Sequence, residues 1–208
     1  MRKVLTVMIV VALAGQAFAV KKTPRNEPKK TRVYVKRESP SLGWYVTPSV
    51  KIAEIRGVTR GLAGLRGGLL IDRSLYIGVA GYGMANPNDY EWDYWGDIYN
   101  GPRDRWELGY GGLEVGLLSR SAGDTQLGLG VLVGGGEIEE HFDHDRYYRS
   151  DGFFIVEPTA DMLFHFSNHV ALGLGVGYRF VDGVETPRFT NDDLDGPSFN
   201  ISLQVGSF

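Results

Sequence analysis

From Trp44 to the carboxy terminus, apolar side chains recur at alternate positions, the period of extended strands whose two faces meet different surroundings. The clearest stretch is Val170 to Phe180. Val170, Leu172, Leu174, Val176, Tyr178 and Phe180 share one face, and Ala171, Gly173, Gly175, Gly177 and Arg179 share the other. Thr125 to Val133 divides the same way, with Leu127, Leu129, Val131 and Val133 opposite Gln126, Gly128 and Gly130. In Phe154 to Phe166 the apolar face is Phe154, Val156, Ala160, Met162, Phe164 and Phe166, and Glu157, Thr159, Asp161 and His165 point the other way. Large apolar residues outside and small or charged residues inside are what a narrow membrane barrel requires.

The pattern predicts strands near residues 43–55, 61–71, 75–85, 105–118, 125–137, 152–166, 169–181 and 197–208, eight in all. Connections at Asp72-Arg73-Ser74, Ser119 to Asp124 and Ser167-Asn168 are short, and those at 86–104, 138–151 and 182–196 are long. Several segments alternate for about ten residues, enough to cross a bilayer at a tilt of about 45°. Strands of globular proteins are more often about five or six residues long. Aromatic residues collect near strand ends, at Trp44, Trp106, Phe153, Phe154, Phe164, Phe166, Tyr178, Phe180 and Phe208, as two interfacial girdles would. The expected fold is therefore all-β, an eight-stranded antiparallel up-and-down transmembrane β-barrel. Its short turns and both chain ends face the periplasm, and its long loops face outward.

The amino-terminal residues add a route of export. Arg2 and Lys3 precede an apolar run from Val4 to Ala14 and the small-x-small triplet Ala17-Phe18-Ala19, the pattern of a cleaved secretory signal. The run is too short for a spanning helix, which needs about 20 apolar residues. Residues 20–41 carry Lys21, Lys22, Arg25, Lys29, Lys30, Arg32, Lys36 and Arg37 with Pro24, Pro28 and Pro40. This segment is expected to be a basic, extended periplasmic linker, either solvated or drawn to an anionic partner such as cell-wall polymer or lipid headgroups. The domain plan is a signal over 1–19, a linker over 20–41 and a barrel over 42–208.

The sequence has no cysteine, so it has neither a disulfide framework nor a lipid-modified Cys after the signal. Its 29 glycines are spread through the alternating segments, not gathered in a linker, which suits a crowded interior.

The signal, the eight strands and the last segment, Pro197 to Phe208, together resemble the small outer-membrane β-barrel superfamily that includes the OmpA-like and OmpX-like barrels. That resemblance implies an outer-membrane location in contact with lipid and lipopolysaccharide. It also implies recognition of the terminal aromatic, here Phe208, by the barrel assembly machinery. The apolar set Phe199, Ile201, Leu203 and Val205 is out of register with Phe208, so a bulge near Gly206 is needed to put them on one face. Asp195-Gly196-Pro197 and Gly177-Tyr178-Arg179-Phe180 also resemble a group of uncharacterised barrels from Gram-negative bacteria.

Strand parity places Lys51, Arg66, Arg179, Glu114, Glu157 and Asp161 in the lumen, a balanced set that must pair to offset desolvation. The expected result is a lumen closed by a charge network, with a narrow gated pore as the alternative. His165-Phe166-Ser167-Asn168 resembles the His-x-Ser-Asn stretch of outer-membrane lipid A deacylases, which implies a His165 base and a Ser167 nucleophile. The strand order puts the pair in a periplasmic turn, away from the outer leaflet, with Arg179 near where that family's acidic partner falls.

The long loops are acidic, with Asp89, Glu91, Asp93, Asp97 and Asp104, then Glu139, Glu140, Asp143 and Asp145, then Asp182, Glu185, Asp192, Asp193 and Asp195. No cofactor is expected, although such loops are candidates for a divalent cation. Glu140, His141, Asp143 and His144 are candidate ligands for Zn²⁺ or Cu²⁺. The first loop is also aromatic, with Tyr90, Trp92, Tyr94, Trp95 and Tyr99, and suits the membrane interface or a stacking partner.

Some function classes drop out. No Gly-Lys-Ser/Thr follows the glycines, so there is no phosphate-binding loop. Nucleic acid has no folded basic face to bind. A soluble lipocalin-like barrel would need an apolar lumen, and the parity gives a small or charged one. The function expected is a structural or interaction barrel that displays acidic, aromatic loops. A lipid-modifying enzyme of the outer leaflet is the alternative.

Overall fold

The computed structural model describes residues 40–85, 105–119, 123–142, 147–186 and 189–207, with backbone alone at 105, 140–142 and 147–149. The strands are β1 (Leu42–Ile55), β2 (Val58–Ile71), β3 (Leu75–Met84), β4 (Arg105–Leu118), β5 (Thr125–Phe142), β6 (Tyr147–Ser167), β7 (Val170–Asp182) and β8 (Gly196–Gly206). A short helix, α1 (Asn191–Leu194), lies between the last two. Each strand pairs antiparallel with its neighbour in the chain, and β8 pairs with β1 to close the barrel.

The barrel's geometry follows from its register. Following paired residues around the wall leads from Leu42 through Ile71, Leu75, Leu117, Leu129, Ala160, Val176 and Phe199 to Ile52. One circuit therefore returns to β1 ten residues further along, from position 42 to position 52. With ordinary strand spacings, that stagger over eight strands tilts them by about 40° and leaves an interior filled by side chains. Outward apolar side chains, from Trp44 and Phe164 up to Tyr178 and Phe180, then occupy a band about 25 Å tall, the height of an outer-membrane apolar belt. Leu65, Val79, Leu113 and Val176 are each more than half exposed on this band, where an aqueous surface would carry polar residues. Above it the outward positions become Glu54, Glu107, Glu137, Glu139 and Asp182.

The strand ends differ from the sequence expectation in two places. β2 begins at Val58, three residues early, because Arg56 and Gly57 both adopt positive φ and close a two-residue hairpin that matches strand twist. β5 and β6 run on to Phe142 and from Tyr147, so most of the predicted loop 138–151 is paired strand. At the opposite end Asp72 and Arg73 also take positive φ, closed by Ser74 N–H donating to the Ile71 carbonyl at 3.1 Å.

Proline shapes the wall as well. The β1–β8 pairing passes from Val46↔Val205 to Ser49↔Ser202 across Pro48, and the β6–β7 pairing passes from Val156↔Phe180 to Thr159↔Gly177 across Pro158. A proline has no N–H to give the ladder. Inside, Gly116 and Gly130 face the Tyr76 ring, and a Cβ at either position would fall on that ring. β8 keeps its register through Gly206 and ends there, with no bulge; Phe208 lies outside the described residues.

The interior departs from the expected small or charged lumen. Towards the loop end it is an apolar core of Ile55, Leu62, Leu108, Leu132, Ile138, Phe153, Ile155 and Val181, joined by Phe189 and Leu194 from the β7–β8 segment. This rim stands above the lipid band, where water surrounds the wall and burying apolar side chains inward is favourable. The charged residues occupy the layers beneath.

Candidate functional site

Alternation along each strand aims the ionic residues inward, and the register sets their heights. In the upper layer Lys51 on β1 meets Glu157 on β6, with Nζ 2.7 Å from Oε2 and 2.9 Å from Oε1. The Tyr110 hydroxyl stands 3.0 Å from Lys51 Nζ and 3.1 Å from Glu157 Oε2, and Ser198 Oγ donates to Glu157 Oε1 at 2.7 Å. The Lys51 ammonium also lies 3.6 Å from the centre of the Tyr82 ring, where the π face favours a cation. Arg179 donates from Nη2 to the Glu54 carbonyl at 2.9 Å.

The second layer, nearer the turn end, centres on Arg66. Its Nη1 is 3.1 Å from Glu114 Oε1 and 3.5 Å from Asp161 Oδ2. All six ionic residues are at least nine-tenths buried. Below them Tyr45 and Tyr76 meet edge to face, with Leu70 and Leu118 against them. Chemically, the two layers fill the lumen with paired charge.

Among the described residues of the loop end, carboxylates hold the β7–β8 segment in place. Asp193 Oδ2 accepts the N–H and hydroxyl of Thr190 at 2.8 Å each. Asp195 Oδ1 accepts Val181 N–H, and Asp151 Oδ2 accepts Glu185 N–H, both at 2.6 Å. Arg56 N–H donates to the Asp193 carbonyl at 2.8 Å, and the Arg56 guanidinium lies 4.8 Å from the Phe189 ring centre. Phe189 in turn packs on Trp106. Asp193 and Asp195, read from sequence as loop charges, thus hold the segment that inserts Phe189 and Leu194 into the mouth.

At the turn end the His165 ring Nε2 lies 3.2 Å from Gln126 Oε1, and Gln126 Nε2 donates to the Ser119 carbonyl at 2.8 Å. Ser167 Oγ accepts His169 N–H at 3.2 Å. A register shift falls between His165 and Ser167, and the two are held by different partners. They share a cleft of about 270 Å³ with Leu70, Arg73 and Asp124.

Among the described residues no group of three or more His, Asp or Glu side chains is placed to hold a metal. Asp143 and His144, the Glu140 and His141 side chains, and the first loop with its aromatics lie outside the described residues. Sequence reasoning missed Tyr82, Tyr110 and Ser198 as partners of the charges. Their signal was parity: Tyr82 and Tyr110 share the inward phase of Ala80 and Glu114 on β3 and β4.

No family model and no curated protein matches the sequence. Solved structures do match its fold. The chain is similar to neisserial surface protein A (NspA), with TM-score 0.53 and 12% identity over 82% of this chain and 99% of that one. The amino-terminal barrel domain of Pseudomonas aeruginosa OprF matches with TM-score 0.51 and 8% identity over 79% and 96%. Ail, the attachment invasion locus protein of Yersinia pestis, in complex with the heparin analogue sucrose octasulfate, matches with TM-score 0.53 and 8% identity over 79% and 97%. Fold and interior together define the class: an eight-stranded antiparallel transmembrane β-barrel, the fold of the small outer-membrane barrels it matches, with side chains filling its lumen.

Proposed function

We propose that this protein is exported, resides in an outer membrane with its basic linker in the periplasm, and serves a structural or interaction role through its loop end. The observation that carries this reading is the filled interior. Two ionic layers lie beneath an apolar mouth, so the wall and the loops are what remains for function. The wall meets lipid and lipopolysaccharide, and Phe208 serves the assembly machinery. The acidic, aromatic loops of the sequence suit a cationic or sugar-bearing partner better than a polysulfated ligand of the kind bound to Ail. The linker, rich in Lys and Arg, suits anionic cell-wall polymer. His165 and Ser167 are read as packing groups of the turn end, and the protein as having no catalytic role.

The gated-pore alternative requires discrete conductance, whereas a filled lumen does not conduct. Purified protein in planar bilayers is expected to give no discrete conductance steps at any voltage that the bilayer withstands. Reproducible unitary steps that vanish with heat-denatured protein would overturn the closed-lumen reading.

A further inference from the structure

We infer that the Arg66 layer is a hydrated chamber, that an internal water bridges Arg66, Glu114 and Tyr45, and that it exchanges with solvent past Leu70 at the turn end. Arg66 Nε, Glu114 Oε2 and the Tyr45 hydroxyl are buried without a protein hydrogen-bond partner, although their residues are at most 6% exposed. All three residues line one cavity of about 20 Å³, together with Tyr76, Asp161 and Gln204. A buried water needs about 10 to 15 Å³ and two to four polar partners, so this cavity holds one.

The donor and acceptor count decides what kind of guest fits. Arg66 Nε–H can only donate, and Glu114 Oε2, as a carboxylate oxygen, can only accept. A water molecule accepts from the first and donates to the second, with its remaining hydrogen or lone pair for the Tyr45 hydroxyl. A metal cation cannot take the water's place, because it accepts no hydrogen bond from the Arg66 Nε–H. Leaving such groups unsatisfied is costly, more so when they are charged, so the bridging water is strongly held.

The route follows from the neighbours. Leu70 lines both this cavity and the 270 Å³ cleft at the turn end. Toward the loop end stand the Lys51 layer and the apolar core that includes Ala53, Leu62 and Leu132. Leu70, packed with Tyr45, Tyr76 and Leu118, therefore stands between the chamber and the turn-end cleft, and several packed layers separate the chamber from the loop end. Hydration from one end alone is independent of what the loops bind.

The absence of native cysteine makes the route measurable, because Ag⁺ is close to water in size and reacts with a lone introduced thiol. With the folded barrel in detergent, Gln204→Cys is expected to react with Ag⁺ faster than Ala53→Cys by on the order of tenfold or more, and adding Leu70→Trp is expected to slow it roughly fivefold. Comparable rates at the two positions, or no effect of Leu70→Trp, would overturn the route. Because a substitution can impair folding, each variant is first checked for heat-modifiable migration. The unsubstituted barrel gives a second reading: water-to-protein magnetisation transfer at Arg66 Nε–H supports the site, and its absence in an assigned spectrum overturns it.

Discussion

Replacing Glu157 by Ala is expected to destabilise the folded barrel by about 3 to 5 kcal/mol, the range for breaking a buried ion pair from one side. The size comes from what is left behind. Lys51 is 2% exposed, and its ammonium takes both Glu157 oxygens and the Tyr110 hydroxyl as partners. Without Glu157 the buried charge keeps only neutral hydrogen-bond partners, and the Ser198 hydroxyl loses its acceptor. The cost should arise from the stranded charge and not from lost attraction. The double variant Lys51→Met with Glu157→Leu is therefore expected to recover most of the loss, since a packed apolar pair is often as stable as the ion pair it replaces. Urea titration of barrels refolded in lipid vesicles measures both. A single variant within about 1 kcal/mol of the parent would show that Lys51 finds another anion or water.

The second large effect lies on the other face of the wall. Val79→Arg is expected to cost about 2 to 4 kcal/mol, because the position sits near the middle of the apolar band, where a guanidinium is poorly solvated. Val79 is 60% exposed on the outside of β3 and has Gly67 and Leu113 as its cross-strand neighbours. On a soluble protein the same exposed change would fall within about 0.5 kcal/mol. Glu107→Arg, on β4 above the band, is expected to cost no more than about 1 kcal/mol. The same urea titration in vesicles reads both variants, and equal costs would deny that the band faces lipid.

The strand count and the two faces were legible because alternation over ten or more residues is a strong signal, as in Val170 to Phe180. The ionic residues were legible for the same reason: parity alone sends Lys51, Arg66 and Glu157 inward. Their pairing was not, since it depends on register, and the ten-residue stagger is set by the hairpin turns and closure together. That stagger brings Lys51 to Glu157 and Arg66 to Glu114 and Asp161 across the lumen.

The apolar mouth was missed for a different reason. Ile55, Leu108 and Ile138 point inward at strand ends that stand clear of the lipid, where the inside-out pattern of a membrane barrel gives way to an ordinary core. Phe189 and Leu194 belong to a segment with no strand period, held inward by the carboxylates of Asp151, Asp193 and Asp195 and by the Arg56 N–H. The early start of β2 had only Gly57 as its signal, because the turn sets Arg56 at positive φ where Asn, Asp or Gly is the favoured residue.

A closed β-barrel that spans a membrane is separated from a soluble fold by electrophoresis of fractionated cells without and with boiling. The protein is expected in the outer-membrane fraction, and unheated protein in mild detergent is expected to run ahead of the boiled sample because the hydrogen-bonded cylinder survives until heated. Recovery in the soluble periplasm, with one mobility in both conditions, would contradict the membrane barrel.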